Sequence, residues 1–208
     1  MERRSCIRTA ASKRLRQREF QQVKTDAAMV GETVLLRRPA VRDLQEVVAL
    51  NRASARLYRS LVSPPTKPEE FHDFLKRSRR EDCECFLICR TEDGAVVGTI
   101  NLSQIFHGGF QNAYLGYYVG ERYARRGYMT EALRLMLRYA FSELKLHRVE
   151  ANIQPENAAS IALVRRAGFV LEGYSRRYLK ICGRWRDHER WALIAEDWRA
   201  KRDREPFR

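Results

Sequence analysis

The residues Arg122-Tyr123-Ala124-Arg125-Arg126-Gly127-Tyr128-Met129 place three arginines and a glycine in one short turn. Behind the turn, Met129, Ala132, Leu133, Met136, Leu137, Ala140 and Leu144 recur at the three- and four-residue spacing of a buried helical face. Glu131, Arg134 and Arg138 fall outside it. Ahead of it, Ala113 to Val119 is aromatic and apolar enough for a strand. A strand, a tight turn and a helix start together aim unpaired backbone N–H groups and the positive end of a helix dipole at one point. Such a point favours an anion, and a pyrophosphate suits it. Arg125 and Arg126 add side-chain charge, and Gly127 lets the backbone come close to a ligand.

Other groups that could do chemistry are fewer. Asp187 beside His188 has the look of an acid–base dyad, but neighbours on a strand point to opposite faces, which favours a structural role. His147 fits the entry of a strand. Cys83, Cys85 and Cys89 alternate within an apolar run and match one face of a buried strand rather than a metal site, since no convergent fourth ligand is evident. Tyr117, Tyr118, Tyr174, Tyr178 and Trp185 are aromatic candidates for the wall of a binding site.

The elements that must hold these groups can be read in order. Thr33 to Pro39 is a first strand stopped by proline. A helix follows over about 41–53, then a proline-rich loop, then a helix opened by Pro68-Glu69-Glu70 with Phe71, Phe74 and Leu75 inward. Strands over 85–90 and 95–106 are joined by Asp93-Gly94, and the strand over 113–119 completes an antiparallel meander. The second half alternates: helix 128–142, strand 148–153, helix 157–167, and a hairpin of strands over 169–181 and 185–194 turning at Gly183. This order predicts an α/β fold, a mixed and largely antiparallel sheet with helices on both faces.

The chain has 208 residues, 44% hydrophobic and 32% charged, enough for one well-buried domain. No run of eighteen apolar residues and no apolar segment after the basic N-terminus points to a span or a secretory signal, so a cytoplasmic protein is expected. The net charge of +14 is uneven: residues 1–24 hold eight Lys/Arg against two Glu. Residues 1–30 therefore read as a basic arm able to lie on RNA or another acidic partner, or simply solvated, with a domain over 31–199 and a charged tail over 200–208.

The succession of strand, Arg-rich glycine turn, helix, strand, Asn157-bearing helix, Ala167-Gly168-Phe169 and hairpin resembles the GNAT superfamily of acetyl-CoA-dependent N-acetyltransferases. The runs Asn157-Ala158-Ala159-Ser160, Glu172-Gly173-Tyr174 and Gly183 to His188 resemble its ribosomal-protein-alanine (RimJ/RimL) group. The similarity covers about residues 33–196 and implies a splayed central strand pair, acetyl-CoA as cosubstrate and no metal. It implies a pyrophosphate site at Ala124, Arg125, Arg126, Gly127, Tyr128 and Met129. Of the general turn pattern only Gly127 is kept, Ala124 replaces the first polar residue, and Met129 matches the ribosomal-protein group.

By the same resemblance the strand at Tyr117, Tyr118 and Val119 pairs with the pantetheine arm and Asn157 hydrogen-bonds it, although locally Asn157 is also a good helix N-cap for the Ser160 N–H. Ser160 is implied as the acid for the departing thiolate, because Val164 stands where other members place a tyrosine. Tyr114 stands where a glutamate can serve as base, and its reference pKa is too high for that task at neutral pH. Glu121, Asp187 or water are the substitutes the sequence offers. The expected activity is transfer of acetyl to an amine, with a ribosomal-protein N-terminal alanine as acceptor. The alternatives are a polyamine, amino acid or antibiotic, or a non-catalytic RNA-associated role. A ribosome or RNA contact through the arm, and a monomer or homodimer, complete the expectations.

Overall fold

Eight strands form one sheet in the computed structural model, which describes residues 26–204. They are β1 (Ala27–Val30), β2 (Val34–Arg37), β3 (Cys83–Arg90), β4 (Val96–Phe106), β5 (Asn112–Val119), β6 (Arg148–Ile153), β7 (Val170–Ile181) and β8 (Arg184–Ile194). The order across the sheet is β1-β2-β3-β4-β5-β6-β8-β7, and every neighbouring pair is antiparallel except β5 with β6.

Among the described residues six α-helices accompany it: α1 (Leu44–Ala53), α2 (Ala55–Tyr58), α3 (Pro68–Arg77), α4 (Tyr128–Arg138), α5 (Ala158–Ala167) and α6 (Ala195–Arg204). On one face of the sheet α4 buries Ala132, Leu133 and Met136 against the strands, as its sequence periodicity requires. On the other, α1 buries Val47, Val48 and Asn51. Among the described residues no helix is long and apolar enough to cross a membrane.

The structure moves several expected boundaries. Residues 27–30, assigned to the basic arm, form β1, because pairing with β2 satisfies their backbone although only Met29 is buried. The rest of the expected arm, residues 1–25, lies outside the described residues. The first residues of the expected C-terminal tail continue α6, which Trp198 anchors by packing against Phe141 at 5.3 Å. The helix expected over 128–142 is α-helical to Arg138 and closes in a π-helical turn over Tyr139–Glu143. Cys85 and Cys89 are buried on β3, and burial pushes both thiols up to about 12.

One buried ion pair fixes the start of α1 against the sheet. Arg37 of β2 donates from Nη1 and Nη2 to the two carboxylate oxygens of Asp43 at 2.8 and 2.7 Å, and the Ala40 N–H donates to the same carboxylate at 2.7 Å. Both side chains are almost fully buried. Removing one partner strands the other charge in the core, so Asp43→Ala is expected to cost about 3–5 kcal/mol, read as a lowered midpoint in chemical unfolding.

Candidate active site

The turn before α4 has an unusual backbone. Arg125 and Gly127 both have positive φ, +61° and +84°, with Ala124 extended before them. Left- and right-handed residues in succession turn consecutive N–H groups toward one concavity. Gly127 is the N-cap of α4, and among the described residues no side chain caps the helix, so its first-turn N–H groups find no side-chain acceptor there. A Cβ built on Gly127 meets nothing within 4 Å. Glycine is required here by its dihedral angles and by whatever occupies the space outside, not by the protein's own atoms. Arg125 and Arg126 within this turn are exposed, and Tyr128 and Met129 are partly buried at the helix start.

From this turn a cleft runs into the sheet. β5 and β6 pair only over Asn112↔Arg148, Ala113↔Val149 and Tyr114↔Glu150. Beyond that point β5 stays with β4 up to Val119, while β6 stays with β8 up to Ile153. The two strands therefore part, and groups on the β6-facing edge of Gly116, Tyr117, Tyr118 and Val119 have no strand partner there. The cleft is open toward the turn and closed at Tyr114 and Glu150.

Each face of the cleft has its own polar groups. On the α5 side, Tyr117 reaches across and its hydroxyl shares a hydrogen bond of 2.5 Å with Ser160 Oγ. Burial is the main reason the Tyr117 phenol is pushed up to about 12, so it keeps its proton at neutral pH. Asn157 is the N-cap of α5, and its Oδ1 accepts from the Ser160 N–H at 3.2 Å. This local contact fixes the first turn that carries Ser160.

On the opposite face, Tyr118 is held by Asn51, whose Nδ2 donates to the Tyr118 hydroxyl at 3.2 Å and to the Pro65 carbonyl at 2.8 Å. Tyr58 packs edge-on to Tyr118 with centroids 5.4 Å apart and donates to the Val119 carbonyl at 3.3 Å. Gln154, just past β6, donates to the carbonyls of Ser60 and Leu61. A cavity of about 480 Å³ opens here, lined by Asn51, Tyr58, Arg59, Glu70, Arg77 and Cys182 among others.

Tyr114 lies on this second face, so the sheet separates it from Ser160. Burial first, and then the charge of Glu150, raise its pKa above the ordinary phenol value, which makes it a still poorer base than its residue type implies. Asp187 accepts from the Tyr174 hydroxyl at 2.6 Å and the Arg177 N–H at 2.7 Å. Those bonds hold its carboxyl below the usual range and weaken it as a base.

His188 is buried, pairs through Nδ1 with the Arg186 carbonyl, and is lowered in pKa by burial; it makes no dyad with Asp187. His147 is exposed and pairs with Glu196 at 3.3 Å, away from the cleft. Glu121 uses its backbone N–H on Ser54 Oγ, while its side chain is exposed. Of the aromatic candidates, Tyr117 and Tyr118 line the cleft, whereas Tyr174 and Trp185 are more than half exposed on the β7–β8 hairpin.

A mixed sheet opened between its one parallel pair, with an uncapped helix start at the mouth of the opening, defines the GNAT class of acetyltransferase fold. The model of the GNAT acetyltransferase domain matches residues 33–170, and the chain belongs to this family. It is an N-acetyltransferase.

Among its relatives, the probable N-acetyltransferase YjcK of Bacillus subtilis is 32% identical over 175 residues, 80% of this chain and 97% of that one. The [ribosomal protein uS5]-alanine N-acetyltransferase of Escherichia coli is 40% identical over 107 residues, 51% of this chain and 55% of that one. Among solved structures, Mycobacterium smegmatis RimJ in complex with CoA-disulfide superposes with a TM-score of 0.71 at 29% identity, covering 78% of this chain and 82% of that one. The resemblance to the RimJ/RimL group is thereby supported.

Proposed function

We propose that this chain moves the acetyl group of acetyl-CoA to the amino-terminal alanine of a ribosomal protein, by direct attack of the amine within a ternary complex. The observation that carries the proposal is the cleft between β5 and β6. Its mouth is an anion site of uncapped N–H groups with two exposed arginines, and one wall bears the Tyr117–Ser160 hydroxyl pair.

The chain's own residues then have distinct tasks. The backbone of Ala124 to Met129, with Arg125 and Arg126, holds the pyrophosphate. The free edge of Tyr117, Tyr118 and Val119, with the Asn157 amide, receives the pantetheine arm and supplies N–H donors for the carbonyl oxygen as it becomes an oxyanion. Ser160 gives a proton to the departing thiolate.

A protein N-terminus is favoured over a polyamine for two reasons. Both signs of charge line the cavity, and Glu70 is already engaged with the N–H groups of Thr66 and Lys67. An α-amino group, with a reference pKa of about 8, is about one-quarter neutral at pH 7.5, whereas an alkylammonium near 10.4 is almost wholly protonated there. A site without a strongly basic side chain suits the first.

Calorimetry with acetyl-CoA and mass spectrometry of peptides test this. Saturable binding is expected, with addition of one acetyl group to peptides starting in alanine and at least about tenfold slower reaction with spermidine. A preference for spermidine would move the acceptor to the small-amine class. Folded protein that neither binds acetyl-CoA nor releases thiol from it would remove the proposal altogether.

A further inference from the structure

The polar groups on the acceptor face of the cleft include a carboxylate that the acid at Ser160 leaves without a partner role. In β6 the residues alternate: Val149, Ala151 and Ile153 are buried, and Arg148, Glu150 and Asn152 take the other face. Glu150 is the register partner of Tyr114 in the last paired step before β5 and β6 separate. Paired residues on neighbouring strands share a face and lie about 5 Å apart at Cα. Glu150 thus presents its carboxylate at the closed end of the cleft, beside the Tyr114 ring and on the face opposite Ser160. A donor held by its pyrophosphate at residues 124–129 and threaded inward along the free edge of β5 brings its thioester to this end.

The carboxylate is also prepared for use. Arg148 donates from Nε to Glu150 Oε1 at 2.7 Å, which fixes its position, while none of the described residues donates to Oε2. Arg148 is itself braced by Glu172 of β7, to which Nη1 donates at 3.0 Å. The side chain of Glu150 is largely but not wholly covered, with 12% of its surface exposed. Two residues along the same face, Asn152 Oδ1 is buried without a hydrogen-bond donor among the described residues. An unsatisfied buried acceptor calls for a donor from outside the protein, and an amine nitrogen carries such N–H groups.

We infer that Glu150 is the general base of the transfer, taking from the attacking amine the proton that a glutamate at position 114 would otherwise take, with Asn152 Oδ1 accepting a second N–H of the same nitrogen. In the step, the amine nitrogen forms a bond to the thioester carbonyl carbon and sheds one proton to Glu150. The carbon–sulfur bond breaks, its electron pair stays on sulfur, and sulfur takes the Ser160 proton. Solvent then returns the proton from Glu150 and restores Ser160. The assignment rests on the proposed acetyl-CoA cleft, and it moves the basic group one strand across the sheet while keeping it in the same layer.

The test is Glu150→Gln, which keeps an oxygen for Arg148 and removes the base. With a peptide starting in alanine as acceptor, kcat is expected to fall about 100-fold or more, with acetyl-CoA affinity in calorimetry within twofold of the unaltered chain. A carboxylate restored at the register partner, in the double variant Glu150→Gln with Tyr114→Glu, is expected to regain at least tenfold of that loss. A kcat for Glu150→Gln within threefold of the unaltered chain overturns the assignment. So does a double variant that folds and binds acetyl-CoA yet is no faster than the single one, because the loss is then not that of a base. Failure of the unaltered chain to bind acetyl-CoA overturns the proposed cleft as well, which separates the two cases.

Discussion

Gly127→Asp is expected to abolish detectable acetyl-CoA binding in calorimetry while the protein still folds. At φ +84° an L-residue costs about 1–2 kcal/mol, and aspartate is among the residues that tolerate this region best. Among the described residues, apart from its chain neighbours and its own helix's backbone, nothing stands within 4 Å of the new Cβ, so there is no clash to add. Aspartate is also a favoured N-cap, and its carboxylate can accept from the free N–H groups at the start of α4, which returns about 1 kcal/mol. Thermal unfolding should therefore shift by only a few degrees.

The same features make the change fatal to the anion site. The new carboxylate occupies the donors that the pyrophosphate needs and sets like charge against it. At about 4 Å each such pair costs roughly 4 kcal/mol near a protein surface. A loss of more than about 100-fold in affinity follows. Ala124→Gln, which adds a donor without charge at the start of the turn, should keep or raise affinity. Unchanged heats of acetyl-CoA binding in Gly127→Asp would place the pyrophosphate elsewhere.

That turn was legible in the sequence because its parts are local: a glycine, two arginines and an amphipathic helix within a few residues. The meander of β3, β4 and β5 and the β7–β8 hairpin were legible for the same reason, each being joined by a short turn. The elements that escaped carry no periodic signal. β1 is four residues with one buried side chain, and α6 has almost no apolar face beyond Trp198. Pairing with β2 gives β1 its place, and packing of Trp198 on Phe141 anchors α6.

The closed end of the cleft escaped for a different reason. Tyr114 and Glu150 are 36 positions apart, and their adjacency exists only because β5 and β6 pair in parallel over three residues. The strand over 148–153 was legible, but nothing in the sequence said that the face carrying Arg148, Glu150 and Asn152 looks into a cleft. Likewise Ser160 was available as a helix-start hydroxyl, whereas its contact with Tyr117 is a tertiary fact.

That contact sets the second large effect. Ser160→Ala is expected to lower kcat about 10–100-fold with little change in acetyl-CoA affinity, since the hydroxyl is needed as the thiolate leaves rather than for binding. The effect is limited because a thiol with a pKa near 8.5 is already a fair leaving group and needs a hydrogen bond more than a full proton. Tyr117→Phe keeps the ring and removes the hydroxyl that engages Ser160. Because the Tyr117 phenol holds its proton far above neutral pH, it can donate to Ser160 Oγ and leave the serine hydrogen free for sulfur.

Its loss alone should cost about tenfold, through misorientation of Ser160. If the two hydroxyls act as one unit, the double variant is no slower than Ser160→Ala, a non-additivity that independent residues do not show. Multiplying effects in the cycle would mean that Tyr117 and Ser160 serve the reaction separately. A Tyr117→Phe loss larger than that of Ser160→Ala would transfer the acid role to the tyrosine itself.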